Sequence, residues 1–158
     1  MLRGLVNKIW KTLPPWGRRR IILLTQQRFT ASAAVVITNG DGKVLLLEHV
    51  LRPRSGWGMP GGFLERGEQP QEGIRREIRE ETGIELDGLK NIRTRTIGSH
   101  IEFIFSAATS NDPKFLSREI IQWKWFDPAG LPKGLPGAQR IIIEKVFGGE
   151  FDKAGDAV

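Results

Sequence analysis

Residues 62–84 read GFLERGEQPQEGIRREIREETGI, and this stretch decides the fold. Proline at position 70 and glycine at position 83 bracket a segment rich in helix formers, so the spacing predicts a helix over residues 70–82. On it Glu77, Glu80 and Glu81 stand at i, i+3 and i+4 and share one face. Three carboxylates so placed repel one another, hold protons more tightly and weaken the helix. A hard, oxygen-seeking divalent ion relieves that cost, and Mg²⁺ or Mn²⁺ fits an all-carboxylate donor set. Because Mg²⁺ characteristically keeps waters and shares substrate phosphates, the set points to a phosphate ester or anhydride.

Glu68 and Arg76 carry opposite charges on either side of the turn into the helix. They are expected to clamp the loop to the helix and orient the glutamates. Gly61 and Gly62, lacking Cβ atoms, would let the backbone come close to metal and phosphates.

Working outward, strand character dominates upstream. Residues 33–38 are rich in β-branched side chains, 39–42 read Asn-Gly-Asp-Gly, and residues 43–49 turn apolar again, which predicts a hairpin. Downstream, strands are expected over 89–97, 101–107 and 120–126, followed by a last helix to about residue 147. Trp123, Trp125 and Phe126 fall close together on one strand, so at least one tryptophan is expected in the core. Strands and helices in this order indicate an α/β sandwich around a mixed sheet.

Composition bounds the rest. A chain of 158 residues with 39% apolar and 27% charged residues suits one core. The absence of cysteine excludes disulfides, thiolate metal sites and cysteine nucleophiles. The net charge of +6 is concentrated: residues 1–20 hold Arg3, Lys8, Lys11, Arg18, Arg19 and Arg20 and no acid, while the remainder balances at 18 basic and 18 acidic. A neutral body is not that of a duplex-binding domain. No apolar run approaches the roughly 20 residues that span a bilayer, and none forms a signal-peptide core. A cytoplasmic protein is expected.

In residues 1–13, Leu2, Leu5, Val6, Ile9, Trp10 and Leu13 recur at helical spacing, and Pro14-Pro15 ends the pattern. The favoured reading is a helix packed on the domain body or on a second subunit. The rival is a basic amphipathic helix resting on an anionic membrane through residues 1–20. The expected division is a basic helical extension over 1–29, a catalytic domain over 30–147 and a loose tail over 148–158.

The pattern of Gly62, Glu68, Arg76, Glu77, Ile78, Glu80, Glu81, Gly83 and Ile84 matches at every position the box of the Nudix hydrolase family, G-x5-E-x7-R-E-U-x-E-E-x-G-U with U a bulky aliphatic. The chain thus resembles Nudix (MutT-like) hydrolases, strictly over the box and loosely over residues 30–147. The resemblance implies an α/β/α sandwich that hydrolyses a nucleoside diphosphate linked to another moiety. It implies metal ligation by Glu77, Glu80, Glu81 and the Gly61 carbonyl, with Glu77, Glu80 or a later loop glutamate serving the attacking water. Relatives that cleave nucleoside triphosphates place a metal-interacting glutamate six positions before a tryptophan on the closing strand, and Glu119 stands six before Trp125.

Arg52 and Arg54, just before the box, are candidates for substrate phosphate. Trp57 is a candidate for stacking on a base, with packing of the loop the stronger reading. His100 and Glu102 share the less apolar face of their strand and are weaker candidates for the pocket wall.

Markers of several subfamilies are missing: the proline of ADP-ribose hydrolases has no counterpart at 99–101, and the chain has no tyrosine and no cysteine. By elimination the resemblance favours a nucleoside triphosphate cleaved to monophosphate and pyrophosphate. A nucleotide-sugar (ADP-ribose-like) pyrophosphatase and a non-catalytic nucleotide- or RNA-binding module are the alternatives. A homodimer is compatible with all three.

Overall fold

Strand Thr30–Thr38 (β1) is the axis of the molecule, because its run of small and β-branched residues is covered on both faces. Its odd positions Ala33, Val35 and Ile37 enter one core and its even positions Ala34 and Val36 the other. The computed structural model describes residues 2–50, 56–114 and 117–151, with backbone alone for residues 2–6. Arg52, Arg54 and most of the predicted tail lie outside the described residues. The chain divides into two compact units, Met1–Thr30 and Ala31–Val158.

The first unit holds helices Leu2–Thr12 (α1) and Pro15–Thr25 (α2), joined at the predicted Pro14-Pro15 corner. Arg18 locks that corner: its Nε donates to the Leu13 carbonyl (2.9 Å) and its Nη2 to the Lys11 carbonyl (2.7 Å). These are carbonyls that the end of α1 leaves without helical partners.

In the second unit β1 turns through Asn39, whose Oδ1 accepts from the Asp41 and Lys43 amides, into Val44–His49 (β2). The short strands Trp57–Gly58 (β3) and Gly61–Phe63 (β4) follow, then helix Pro70–Thr82 (α3). Asp87–Ile97 (β5) and His100–Ala108 (β6) form an antiparallel hairpin, Ile120–Phe126 (β7) returns along β2, and Gly137–Phe147 (α4) closes the described chain. The seven strands make one sheet ordered β3-β2-β1-β6-β5, with β4 paired to β1 and β7 to β2. Ser32 meets His100 at one end of β1 and Thr38 meets Ala107 and Thr109 at the other, so β1 and β6 run parallel. The sheet is therefore mixed.

Helix α3 contributes Ile74 and Ile78, one turn apart, to the core on one face. Helix α4 contributes Ile142 and Ile143 to the core on the other. Three layers result, as expected from the sequence. Both Trp123 and Trp125 are only half-buried, contrary to expectation. For Trp125 the reason is polar: its indole N–H donates to Asp112 Oδ1 (2.9 Å) near the surface.

Candidate active site

The site is built where β4 is pressed against β1. Gly61 has φ of 149°, and a Cβ there would fall 2.2 Å from the Ala33 carbonyl oxygen, so the pairing admits only glycine. At Gly62 a Cβ would stand 2.4–2.7 Å from the Glu77 carboxylate. The glycine pair therefore serves two close approaches, strand on strand and the Glu77 carboxylate on backbone. The sequence pointed only to approach by metal and phosphate.

Helix α3 delivers the carboxylates. Pro70 begins it, Glu72 Oε2 accepts from the Gln69 amide, and Gly83 (φ 69°) ends it with its N–H on the Arg79 carbonyl. At the buried Gly73 a Cβ would press on Leu64 and Glu68, so a small residue here lets the preceding loop lie on the helix.

Arg76 joins loop to helix. Its Nε and Nη2 donate to the two oxygens of Glu68 at 2.8 and 3.1 Å, a bidentate pair, and Nη2 also reaches the Phe63 carbonyl at 3.3 Å. Nη1 donates to Glu77 Oε1 (2.9 Å) and Glu80 Oε2 (3.2 Å). Glu68 further accepts the Glu65 amide (2.9 Å). The Arg76 guanidinium, seconded by that amide, holds the Glu68 carboxyl down at about 2. Glu68, then Glu77, in turn push the guanidinium above its ordinary range. Arg76 therefore does more than brace the loop, for it also supplies one positive charge inside the glutamate cluster. Glu68, Glu77, Glu80, Glu81 and Glu119 against Arg76 and Arg118 still leave an excess of negative charge.

Glu77, Glu80 and Glu81 share a cavity of about 400 Å³ with Glu119. Glu77, Glu81 and Glu119 share a second, of about 440 Å³, with Gly61, Gly62, Phe63 and His49. Glu81 is buried and Glu80 well exposed, so the cluster runs from protein interior to solvent. Glu119 is carried into it by main chain: its carbonyl accepts the Val50 amide (3.0 Å) just beyond β2.

These donors suit a hard divalent cation. Glu77 and Glu80 each turn one oxygen to Arg76, leaving the other to face an ion. Among the described residues no three acidic or imidazole groups already stand close enough to hold an ion by themselves.

Trp57 lies edge-on to Phe126, with ring centroids 5.1 Å apart, and packs against the α4-side core; it lines neither glutamate cavity. A neighbouring cavity of about 190 Å³ runs from Gly61 and Gly62 past Ser32 and Phe63 to Glu102 and Gln139. Glu102 is paired there with Arg95, while His100 Nε2 contacts Ser32 Oγ (2.8 Å) and stacks edge-on to Phe63. Lining residues that escaped the sequence reading include Arg118 beside the glutamates, His49 and Gln139. His49 shares the face of β2 that carries Leu45 and Leu47 into the α3-side core, so strand alternation aims it at the glutamates. Gln139 is placed by α4, its side-chain oxygen accepting the Met59 amide (2.9 Å).

Comparison with known proteins agrees with this architecture. The NUDIX domain matches residues 28–146. A MutT-like protein of Streptomyces ambofaciens is 32% identical over 101 residues, covering 63% of this chain and 64% of its own length. An ADP-ribose pyrophosphatase of Methanocaldococcus jannaschii is 45% identical over 113 residues, 67% of each chain. The chain thus spans under two thirds of the MutT-like relative and about two thirds of the other. The crystal structure of a MutT NUDIX hydrolase from Burkholderia pseudomallei superposes with a TM-score of 0.67 at 28% identity, over 76% of this chain and 99% of that one. With its domain match spanning most of the chain and its glutamate helix set against β4, the protein belongs to the Nudix family.

Proposed function

We propose that the protein hydrolyses a phosphoanhydride bond in a nucleoside diphosphate linked to another group, with a nucleoside triphosphate cleaved to monophosphate and pyrophosphate as the leading substrate. The observation that carries this reading is the gathering of Glu77, Glu80, Glu81 and Glu119 around one cavity, three of them also lining a second that Gly61 borders. Glu77, Glu80, Glu81 and the Gly61 carbonyl would hold Mg²⁺, with Mn²⁺ as substitute. Such an ion, when bound, lowers the pKa of water and offsets charge on phosphate.

The chain's own groups divide the remaining work. Arg76 and Glu68 fix the helix against the loop, so the carboxylates meet substrate without reorganising. Glu80, the most exposed of Glu77, Glu80 and Glu81, and Glu119 are the candidates to take the proton of the attacking water. Substrate phosphates would lie over Gly61 and Gly62, between the glutamates and the Ser32–Gln139 cavity, which is where the linked nucleoside fits. Arg52 and Arg54 precede this site in the chain and are proposed to meet the outer phosphates. The same reading sets the protein in the cytoplasm, where nucleotides are made and consumed.

A second reading, a nucleotide-sugar pyrophosphatase, is favoured by the 45% identity to an ADP-ribose pyrophosphatase. Incubation with a panel of nucleoside triphosphates and sugar nucleotides in Mg²⁺ separates the two. Pyrophosphate from a triphosphate supports the first, and nucleoside monophosphate released only from sugar nucleotides supports the second. Glu80→Gln should lower turnover by at least about 100-fold with an unchanged circular dichroism spectrum. Near-normal activity in that variant would sink both.

A further inference from the structure

We propose that the N-terminal unit docks on an anionic lipid surface, lying on it rather than crossing it. The charge pattern is the first ground. Before Asp41 the chain contains no acidic residue, yet residues 1–30 carry seven lysines and arginines, leaving 17 basic against 18 acidic elsewhere. Lys8, Lys11, Arg19, Arg20 and Arg28 are exposed, whereas Arg18 is engaged in holding the α1–α2 corner.

The second ground is apolar. Helix α2 has no buried residue: Trp16 is 71% exposed, Leu23 51% and Leu24 77%, with Ile21, Ile22 and the following Phe29 also exposed. These are exposures within the whole chain, so the unit by itself leaves the side chains at least as open. The favoured sequence reading was a helix packed on the body or on a second subunit, and the exposed residues of α2 do not meet it. Thr25 folds its hydroxyl back onto the Ile21 carbonyl (2.9 Å), so the end of α2 presents aliphatic surface.

Basic and apolar groups thus occupy consecutive turns of one 11-residue helix, Arg18–Arg20 and then Ile21–Leu24. Lipid satisfies both at once, with headgroup phosphate meeting the guanidinium groups and the acyl boundary meeting tryptophan and leucine. RNA would use the charges but gives no role to a run of four aliphatic residues. A second copy would cover the aliphatic run but bring another seven positive charges against the first seven. No described helix is long and apolar enough to cross a membrane, and an 11-residue helix is only about 16 Å long.

The test is co-sedimentation of the full chain with vesicles of phosphatidylcholine alone and of equimolar phosphatidylcholine and phosphatidylglycerol. Binding is expected to the mixed vesicles and not to the neutral ones. It should fade in 1 M salt, where the screening length contracts to about 3 Å. Each basic group near an anionic surface strengthens binding about fivefold, so Arg19→Gln/Arg20→Gln should weaken it about 25-fold, while Arg19→Lys/Arg20→Lys retains it. Trp16→Ser/Leu24→Ser should weaken binding more than tenfold with the charge intact.

Wild-type protein left in the supernatant with mixed vesicles would overturn the proposal. So would tight binding of single-stranded RNA that depends on Arg19 and Arg20 in a protein that ignores vesicles. A fall in solution mass for Trp16→Ser/Leu24→Ser with vesicle binding unchanged would assign the surface to a second copy instead. None of these readouts depends on hydrolysis, so the proposal stands or falls apart from the proposed activity.

Discussion

Helices α2 and α3 differ little in length, 11 and 13 residues, yet they treat their charges in opposite ways: α3 mixes four glutamates with three arginines, whereas α2 carries three arginines and no acid. In α3 Arg76 reaches Glu77 and Glu80 on the helix and Glu68 on the loop before it, while Ile74 and Ile78 anchor the helix in the core. In α2 three adjacent arginines have no acid on their own unit, and no side chain of the helix is buried. Charge partly neutralised within the chain becomes a positioned site, and charge with no neutralising partner in its own unit is proposed to meet a surface outside. The two helices should also respond differently to truncation. Ile78→Ala should cost about 2–5 kcal/mol, because a fully buried side chain leaves a cavity, whereas Ile22→Ala should stay within about 0.5 kcal/mol. Urea unfolding reads both, and equal losses would erase the distinction.

The contrast sharpens at the arginines. Arg76→Gln removes both arms to Glu68 and the bonds to Glu77 and Glu80, so the glutamates lose their orientation and one neutralising charge. Turnover at saturating substrate and Mg²⁺ should fall by about 10–100-fold, the usual consequence of losing a group that positions metal ligands. Arg76→Lys should recover only part of it, since an ammonium cannot reproduce a fork that spans both oxygens of Glu68. Arg19→Gln in α2 should leave turnover unchanged.

Much of this was legible in the sequence because its signals are local. The helix at Pro70–Thr82 followed from its proline and glycine ends, and the β1–β2 hairpin from Asn39 and Gly42 between apolar runs. The shared face of Glu77, Glu80 and Glu81 follows from helical spacing alone. What escaped depends on pairing between distant segments. His49 shares a strand face with Leu45 and Leu47, but that this face is the one covered by α3 and its glutamates is set by packing between distant segments. Gln139 is brought beside Met59 by the docking of α4, 80 positions away in the chain. The double reach of Arg76, to Glu68 on one side and Glu77 and Glu80 on the other, needs the loop folded back onto the helix. Sequence spacing gave the partners but not the neutralisation.

Acid offers a finer probe of the same network. Glu68 titrates at about 2 in the folded protein against an ordinary 4.5, so its pairing stabilises the fold fully above about 4.5. That contribution is lost progressively as pH falls toward about 2. Wild-type protein should therefore exceed Glu68→Gln in its urea midpoint at pH 6, and the gap should close as pH is lowered through this window. A gap that is constant across it would mean that Glu68 stabilises by shape rather than by charge.

The smallest effect is expected three residues beyond Arg76. Arg79 pairs with Glu85 at 2.7 and 3.1 Å, a geometry as good as that of Arg76 with Glu68, and the pairing likewise lowers the Glu85 carboxyl and raises the guanidinium. The difference is water: Arg79 and Glu85 are 57% and 61% exposed, while Arg76 and Glu68 are 24% and 13% exposed. Solvent screens the first pair, and both of its side chains give up rotamer freedom to form it. Arg79→Ala should therefore leave the unfolding midpoint within experimental scatter at physiological salt, with a shift emerging only at low ionic strength, and should not alter turnover. If it matched Arg76→Gln in either respect, hydrogen-bond geometry alone would set the value of these arginines, and burial beside the glutamate cavity would not be what distinguishes Arg76.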